Sequence, residues 1–256
     1  MTRSVLDPVR TAAKVLRDRG PVALLRSATN QFFPVARFRR LAGAVRAKWP
    51  NATAKDVWAF LEDPANCYLV IAMQDREEFT GLLRMYTELR PQRVMEIGTA
   101  KGGTLFAFAT LAGPGAQIIS LDLPSRRFGG GGYFLDRRWA MYARFAYPGQ
   151  QLHLLRGDSH APESVARVKV LLAGEPLDFL LIDGDHSYEG VRADYEMYGP
   201  LVRPGGLIAF HDIVGHTPEK VGGVPRFWQE VRRDKDATEF VRDPGQDGYG
   251  IGVIRK

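Results

Sequence analysis

The chain has one cysteine, Cys67, in 256 residues. A single thiol cannot close an internal disulfide, so the fold must rest on its core, and a reducing cytoplasm is the expected setting. Long apolar runs are also missing. Stretches such as Cys67 to Met73 fall far short of the roughly 20 residues a membrane-spanning helix needs. The basic start lacks the apolar segment of a secretion signal, its longest run being Val22-Ala23-Leu24-Leu25, so no export is expected and Asn51-Ala52-Thr53 reads as a chance sequon. Acidic residues are scarce at one end only. Residues 1–50 hold eleven basic side chains against two acidic ones, Asp7 and Asp18, whereas the remaining 206 residues carry 24 basic and 27 acidic. The net charge of +6 therefore comes from the leader, and no specific nucleic-acid partner is expected for the body of the chain. Hydrophobic content of 45% excludes disorder of the whole.

Residues 1–65 read as a basic helical extension, broken at Gly20-Pro21 and near Pro34. After Pro34, residues Val35, Phe38, Leu41, Ala42, Val45 and Trp49 recur at helical spacing, with Arg37, Arg39, Arg40, Arg46 and Lys48 on the remaining surface. Three roles suit such a leader: packing over the domain or forming a homo-oligomer interface, peripheral contact with anionic lipid through residues 1–50, and a clamp for nucleic acid. The first is the default, as a homodimer. A further helix is expected from Gln74 to Leu89. From residue 92 strands and helices alternate: strands at Arg93–Ile97, Gln117–Leu121, Gln151–Leu155, Leu177–Ile182, Gly206–His211 and Gly250–Ile254, and helices near 103–112, 134–146, 161–173, 187–201 and 224–234. Residues 66–256 thus predict an α/β domain with a Rossmann-like, doubly wound, mainly parallel sheet and helices on both faces. Such sheets bind ligands at the carboxyl ends of their strands.

Those ends carry the chemistry. The first strand runs into Glu96-Ile97-Gly98-Thr99-Ala100-Lys101-Gly102-Gly103-Thr104. Its glycines permit a tight turn at a helix start, but the spacing is not the G-x-G-x-x-G of dinucleotide binders. A carboxylate there would repel pyrophosphate and suit a ligand bearing an amino group. Asp122 ends the second strand, placed for ribose hydroxyls, and Asp158-Ser159 follow the third, placed for an adenine amino group, although either acid also reads as a helix cap. The fourth strand ends in Asp183-Gly184-Asp185-His186-Ser187-Tyr188 and the fifth in His211-Asp212. Two carboxylates and one or two imidazoles at a cleft mouth suit a divalent cation with a general base beside it. His186 also reads as part of an ordered helix-capping turn, and His211 as hydrogen-bonding support behind the site.

Val94-Met95-Glu96-Ile97-Gly98 with Gly102 resembles the first cofactor motif of the class I S-adenosylmethionine-dependent methyltransferases, and Asp122 falls where that family has its ribose-binding acid. Leu181 to Gly190, with Pro204-Gly205-Gly206 and His211-Asp212, resembles the metal-dependent O-methyltransferase branch, which includes the macrolide-sugar and cephalosporin-cluster types. The similarity covers about residues 70–256. It implies S-adenosyl-L-methionine as methyl donor, held by Glu96, Gly98, Thr99, Gly102, Thr104, Asp122, Asp158, Ser159 and Asp183. It also implies a divalent metal on Asp183, His211 and Asp212, magnesium first and manganese or another dication second. Where the sugar-modifying members carry an acid, this chain has His211, and an imidazole tilts a site away from magnesium. His186 matches the branch's catalytic base, with Asp183 beside it. The implied reaction is methylation of a hydroxyl on a sugar or other small natural-product acceptor. Phe128, Tyr133 and Trp139, around the glycine-rich 126–134 segment, and Tyr188 are the expected acceptor contacts, and Val221 to Trp228 is a second segment that could border the cleft. The alternatives are a non-haem iron oxygenase using His186, His211 and Asp183 or Asp212, and a cofactor-binding subunit without catalysis.

Overall fold

The computed structural model describes residues 7–66, 68–123, 135–217 and 221–256. Four helices come first: α1 (Asp7–Phe32), α2 (Pro34–Leu41), α3 (Gly43–Arg46) and α4 (Ala54–Glu62). The expected break in α1 is present, since Gly20 adopts φ 78°, ψ 176° just before Pro21. The helix expected after Pro34 is interrupted at Ala42, which divides α2 from α3. Sequence periodicity missed α4, although Thr53 and Asp56 form a reciprocal capping box at its start, a signal legible in the residues themselves.

Then follow α5 (Arg76–Leu89), β1 (Arg93–Ile97), α6 (Gly103–Leu111), β2 (Gln117–Asp122), α7 (Leu135–Tyr142), β3 (Gln151–Arg156), α8 (Pro162–Leu172), β4 (Leu177–Ile182), α9 (Tyr188–Tyr198), β5 (Val202–His211), α10 (Val224–Val231), β6 (Asp236–Phe240) and β7 (Ile251–Arg255). The seven strands form one sheet in the order β3-β2-β1-β4-β5-β7-β6. The first five run parallel, and β7 pairs antiparallel with both β5 and β6. β6 was not anticipated: its sequence, Asp236-Ala237-Thr238-Glu239-Phe240, is that of a half-exposed edge strand without an apolar run.

Side chains alternate between two cores. Val94, Ile118, Phe179 and Leu207 pack on one face against α2, α4, α5 and α6 through Phe38, Trp58, Phe79, Tyr86, Phe106 and Phe108. Met95, Ile97, Leu180 and Ile182 pack on the other against α8, α9 and α10 through Val168, Tyr198 and Trp228. Residues 34–62 thus share the core of the sheet. Arg46 strengthens that attachment by donating to the carbonyls of Arg144, Phe145 and Ala146 at 2.9–3.1 Å. No helix among the described residues is long and apolar enough to cross a membrane.

Strand order reverses between β1 and β4, so a crevice opens outside their carboxyl ends. Register places the ends together: Ile97 lies beside Leu121 and Ile182, and Ile182 beside Phe210. Gly98, Asp122, Asp183 and His211 each follow within one residue, and this brings four loops to one mouth.

Candidate functional site

The glycine loop packs directly on the turn after β4. Asp183 donates its backbone N–H to the Ile97 carbonyl at 2.9 Å, and Gly98 has φ 94°. A Cβ at Gly98 would lie 2.0 Å from the Asp183 carbonyl oxygen, so no side chain fits there. Gly102, at φ 77°, caps α6, and Gly103 donates to the Ile71 carbonyl, which lays the segment before α5 across the helix start. Thr99 is buried with its hydroxyl against Ser120.

Glu96 points from β1 into the face it shares with Val94 and is 1% exposed. Its Oε1 accepts from Ser120 at 2.7 Å, Thr104 adds a second hydrogen bond, and Oε2 is buried without a partner. Burial pushes the carboxyl up to about 8, against those two hydrogen bonds. Asp122, at the end of β2, is raised by burial to about 6 while accepting backbone N–H bonds from Leu123, Ala100 and Thr99. Asp158 instead caps its own turn, accepting from the His160 N–H at 2.9 Å, and the Ser159 carbonyl accepts from the Tyr198 hydroxyl of α9 at 2.8 Å. The structure thus gathers Glu96, Gly98, Thr99, Gly102, Thr104 and Asp122 around one loop, with Asp158 and Ser159 beyond β2.

Beside that loop stands a cluster of two carboxylates and two imidazoles. Asp183 Oδ1 lies 3.2 Å from His211 Nδ1 and 3.6 Å from His186 Nε2. Asp212 Oδ2 lies 3.3 Å from His186 Nδ1 and 3.5 Å from His211 Nδ1. Burial by itself would raise Asp183, but the His211 charge and the hydrogen bonds of both imidazoles hold it well below the usual carboxylate range. Burial likewise opposes a proton on His211, and the two carboxylates overcome it, raising His211 to about 10. His186, raised chiefly by its hydrogen bond to Asp183, stays at the open edge, 39% exposed against 6% for His211. Ligand atoms of Asp183, His186 and Asp212 all fall within 4.8 Å of one another, a donor set suited to a divalent cation. His211, the third ligand expected from the resemblance, is outside that set. It faces the same carboxylates from the buried side, and its Nε2 has no partner.

Two supports of this cluster left no mark in the sequence, and a third lies in the Val221 to Trp228 segment expected to border the cleft. Gln74 donates Nε2 to Asp183 Oδ2 at 3.0 Å while its own Oε1 is buried without a partner. Tyr249 donates its backbone N–H to Asp212 Oδ1, and Glu78 ties down the strand-to-strand loop that brings Tyr249 there, through Arg242, Gln246 and Gly250. Gly222 and Gly223 close on the His186 turn: a Cβ on Gly222 would lie 2.0 Å from the His186 carbonyl, which accepts from the Gly223 N–H. The Val221 to Trp228 segment therefore positions His186.

Of the expected acceptor contacts, Phe128 and Tyr133 lie outside the described residues. Trp139 lies under the Arg156 guanidinium, and Tyr188 donates to Glu230 beneath Arg226. These partners engage both rings, and neither is among the side chains that meet at Asp183 and Asp212.

Residues 95–213 match a family model described as a methyltransferase domain. The uncharacterized protein y4gI of Sinorhizobium fredii (strain NBRC 101917 / NGR234) is 26% identical over 166 residues, 64% of this chain, and this chain spans 17% of that protein's length. An O-methyltransferase from Bacillus cereus, solved in complex with SAH, is 18% identical, with a TM-score of 0.50 over 85% of this chain and 97% of its own. The cofactor-bound Rv0187 from MTB is also 18% identical, with a TM-score of 0.50 over 100% of this chain and 98% of its own. Nothing in these matches favours the oxygenase alternative. Residues 95–213 thus match a methyltransferase domain model, and the chain carries the doubly wound fold of these solved structures.

Proposed function

We propose that the chain transfers a methyl group from S-adenosylmethionine to a hydroxyl oxygen of a small sugar-like or natural-product acceptor, assisted by a divalent cation. The observation that carries this reading is the meeting of Asp183, His186 and Asp212 within ligand distance at the ends of β4 and β5, next to the glycine loop of β1.

The residues fit both groups. The unpartnered, buried Glu96 Oε2 is an acceptor waiting for an N–H, as a cationic amino-acid moiety would supply, and Asp122 stands at the adjoining strand end for ribose hydroxyls. S-adenosylmethionine brings an electrophilic methyl on a sulfonium. A bound dication lowers the pKa of an alcohol that touches it. Asp183 and Asp212 would hold the cation by their carboxylates. His211 holds the two carboxylates in place from the buried side, and Gln74 fixes the rotation of Asp183. His186, at the open edge, takes the acceptor's proton on a ring nitrogen, and the Gly222-Gly223 clasp keeps that ring in position. Because an alcohol is a weak nucleophile, positioning and proton removal are what the protein contributes to rate.

The test is transfer of labelled methyl from S-adenosylmethionine to a panel of hydroxylated sugars and macrocycles, with and without chelator, for the parent and Asp183→Asn. Chelator and substitution should each abolish turnover while cofactor binding persists. Full-rate transfer by Asp183→Asn in chelator would end the metal-assisted reading.

A further inference from the structure

Five of the eight exposed large apolar side chains among the described residues lie in α1 and at its end: Leu16, Val22, Leu25, Phe32 and Phe33. Val22, Leu25 and Phe33 are 60%, 67% and 65% exposed. At about 100° per residue, they fall on one stripe of the helix, and the buried Ser27 and Asn30 mark the side that packs inward. An apolar stripe of this kind on a soluble domain needs an occupant.

Charge indicates which. Between Asp18 and Asp56 there are eight basic residues and no acidic one. Arg37 is committed to Asn30, Arg46 to three carbonyls of the 144–146 turn, and Lys48 to Asp56. Arg39 and Arg40 are exposed, and they and Arg26, next in the helix to Leu25, form no ion pair with another described residue. A second copy docking through the same patch would bring these uncompensated guanidinium groups together. An anionic bilayer would neutralise them while taking up Val22, Leu25 and Phe33.

We propose that the stripe formed by Val22, Leu25 and Phe33 seats the protein on an anionic membrane surface, with Arg26, Arg39 and Arg40 in contact with lipid headgroups. The stripe ends beside Phe32, whose carbonyl accepts from Arg137 of α7, and α7 in turn reaches the glycine loop through the Tyr142 hydroxyl on the Ala100 carbonyl. The membrane-facing stripe and the methyltransferase loop thus lie on either side of one helix. This inference stands independently of the reaction proposed above.

The test is co-sedimentation of the full chain with mixed phosphatidylcholine–phosphatidylglycerol vesicles and with pure phosphatidylcholine vesicles. Binding is expected to the mixed vesicles only, and to fall as salt rises. Leu25→Ser/Phe33→Ser should lower partition by about a hundredfold, and Arg39→Gln/Arg40→Gln by about fivefold per arginine removed. All four positions are exposed, so denaturation midpoints should match the parent. As a readout that keeps the stripe apolar, Phe33→Trp should shift its emission to the blue on mixed vesicles alone. Absence of sedimentation, equal binding to both vesicle types, or unchanged partition of the apolar double variant each overturns the proposal. So does a result in which Leu25→Ser/Phe33→Ser dissociates an oligomer in sedimentation velocity without altering vesicle binding, since the occupant would then be a second copy.

Discussion

Glu96→Gln removes a buried carboxyl whose pKa is displaced upward from 4.5 to about 8, chiefly by burial. Because the folded-state pKa is raised, its contribution to stability is fully present below the unfolded value and is lost as pH rises through the folded one. Across that window the folded protein holds a proton that the unfolded chain has released, and each pH unit costs up to ~1.4 kcal/mol. The whole interval amounts to about 3 to 5 kcal/mol, an upper range because the site can relax. The amide keeps the bond from Ser120 and places an N–H where Oε2 has no acceptor, a cost of about 1 to 3 kcal/mol at every pH. The variant should therefore be equal to or less stable than the parent near pH 5 and more stable near pH 8. Urea denaturation of the cofactor-free proteins at several pH values reads the difference directly. Asp122 and Asp194, both raised to about 6 by burial, bend both curves alike and cancel in the comparison. Parallel curves for parent and variant would refute a buried, proton-holding Glu96. The same residue sets a cofactor prediction: parent affinity for S-adenosylmethionine should tighten by up to about tenfold for each unit that pH rises toward 8, whereas the variant should bind weakly and independently of pH.

The two imidazoles separate by assay: His186→Ala should lower kcat with cation affinity retained, and His211→Ala should weaken cation binding measured by calorimetry; the opposite pattern would exchange their roles. Gln74→Ala frees one oxygen of Asp183, and removing such a ligand-orienting partner typically costs about 10- to 100-fold in metal affinity. A titration indistinguishable from the parent would show that the hydrogen bond has no part in the site. Phe38→Ala, which deletes a ring packed edge-on against Phe60 and Phe106, should cost about 3 to 5 kcal/mol in chemical denaturation, where a detached leader would show no change.

Local patterns carried much of the fold. The alternating strands and helices after residue 92 were readable because the parallel strands are short and largely apolar and the turns between them carry glycine and acidic residues. The antiparallel pair at the far edge was only half readable. β7 is apolar, but β6 is a polar edge that owes its existence to pairing with β7. The glycine loop and the Asp183 turn were legible for a steric reason, since Gly98 sits where the backbone of the next loop leaves no room for a Cβ. Gln74, Glu78 and Tyr249 were not, because each acts across long sequence separations and a single glutamine or glutamate beside a helix start has no distinctive spacing.

The sequence alone therefore determined the order of elements, the acids and histidines at the strand ends, and the confinement of the net positive excess to the first 50 residues. Only the tertiary structure decided which of those groups meet. Strand register, a property of several chain segments at once, set His186 and His211 on opposite sides of the same two carboxylates. Packing likewise divided the basic leader: residues 34–62 became core because their apolar side chains found the open face of the sheet, while the stripe of α1 stayed outside. Periodicity reports that a helix has an apolar side, but what that side touches depends on surfaces built elsewhere in the chain.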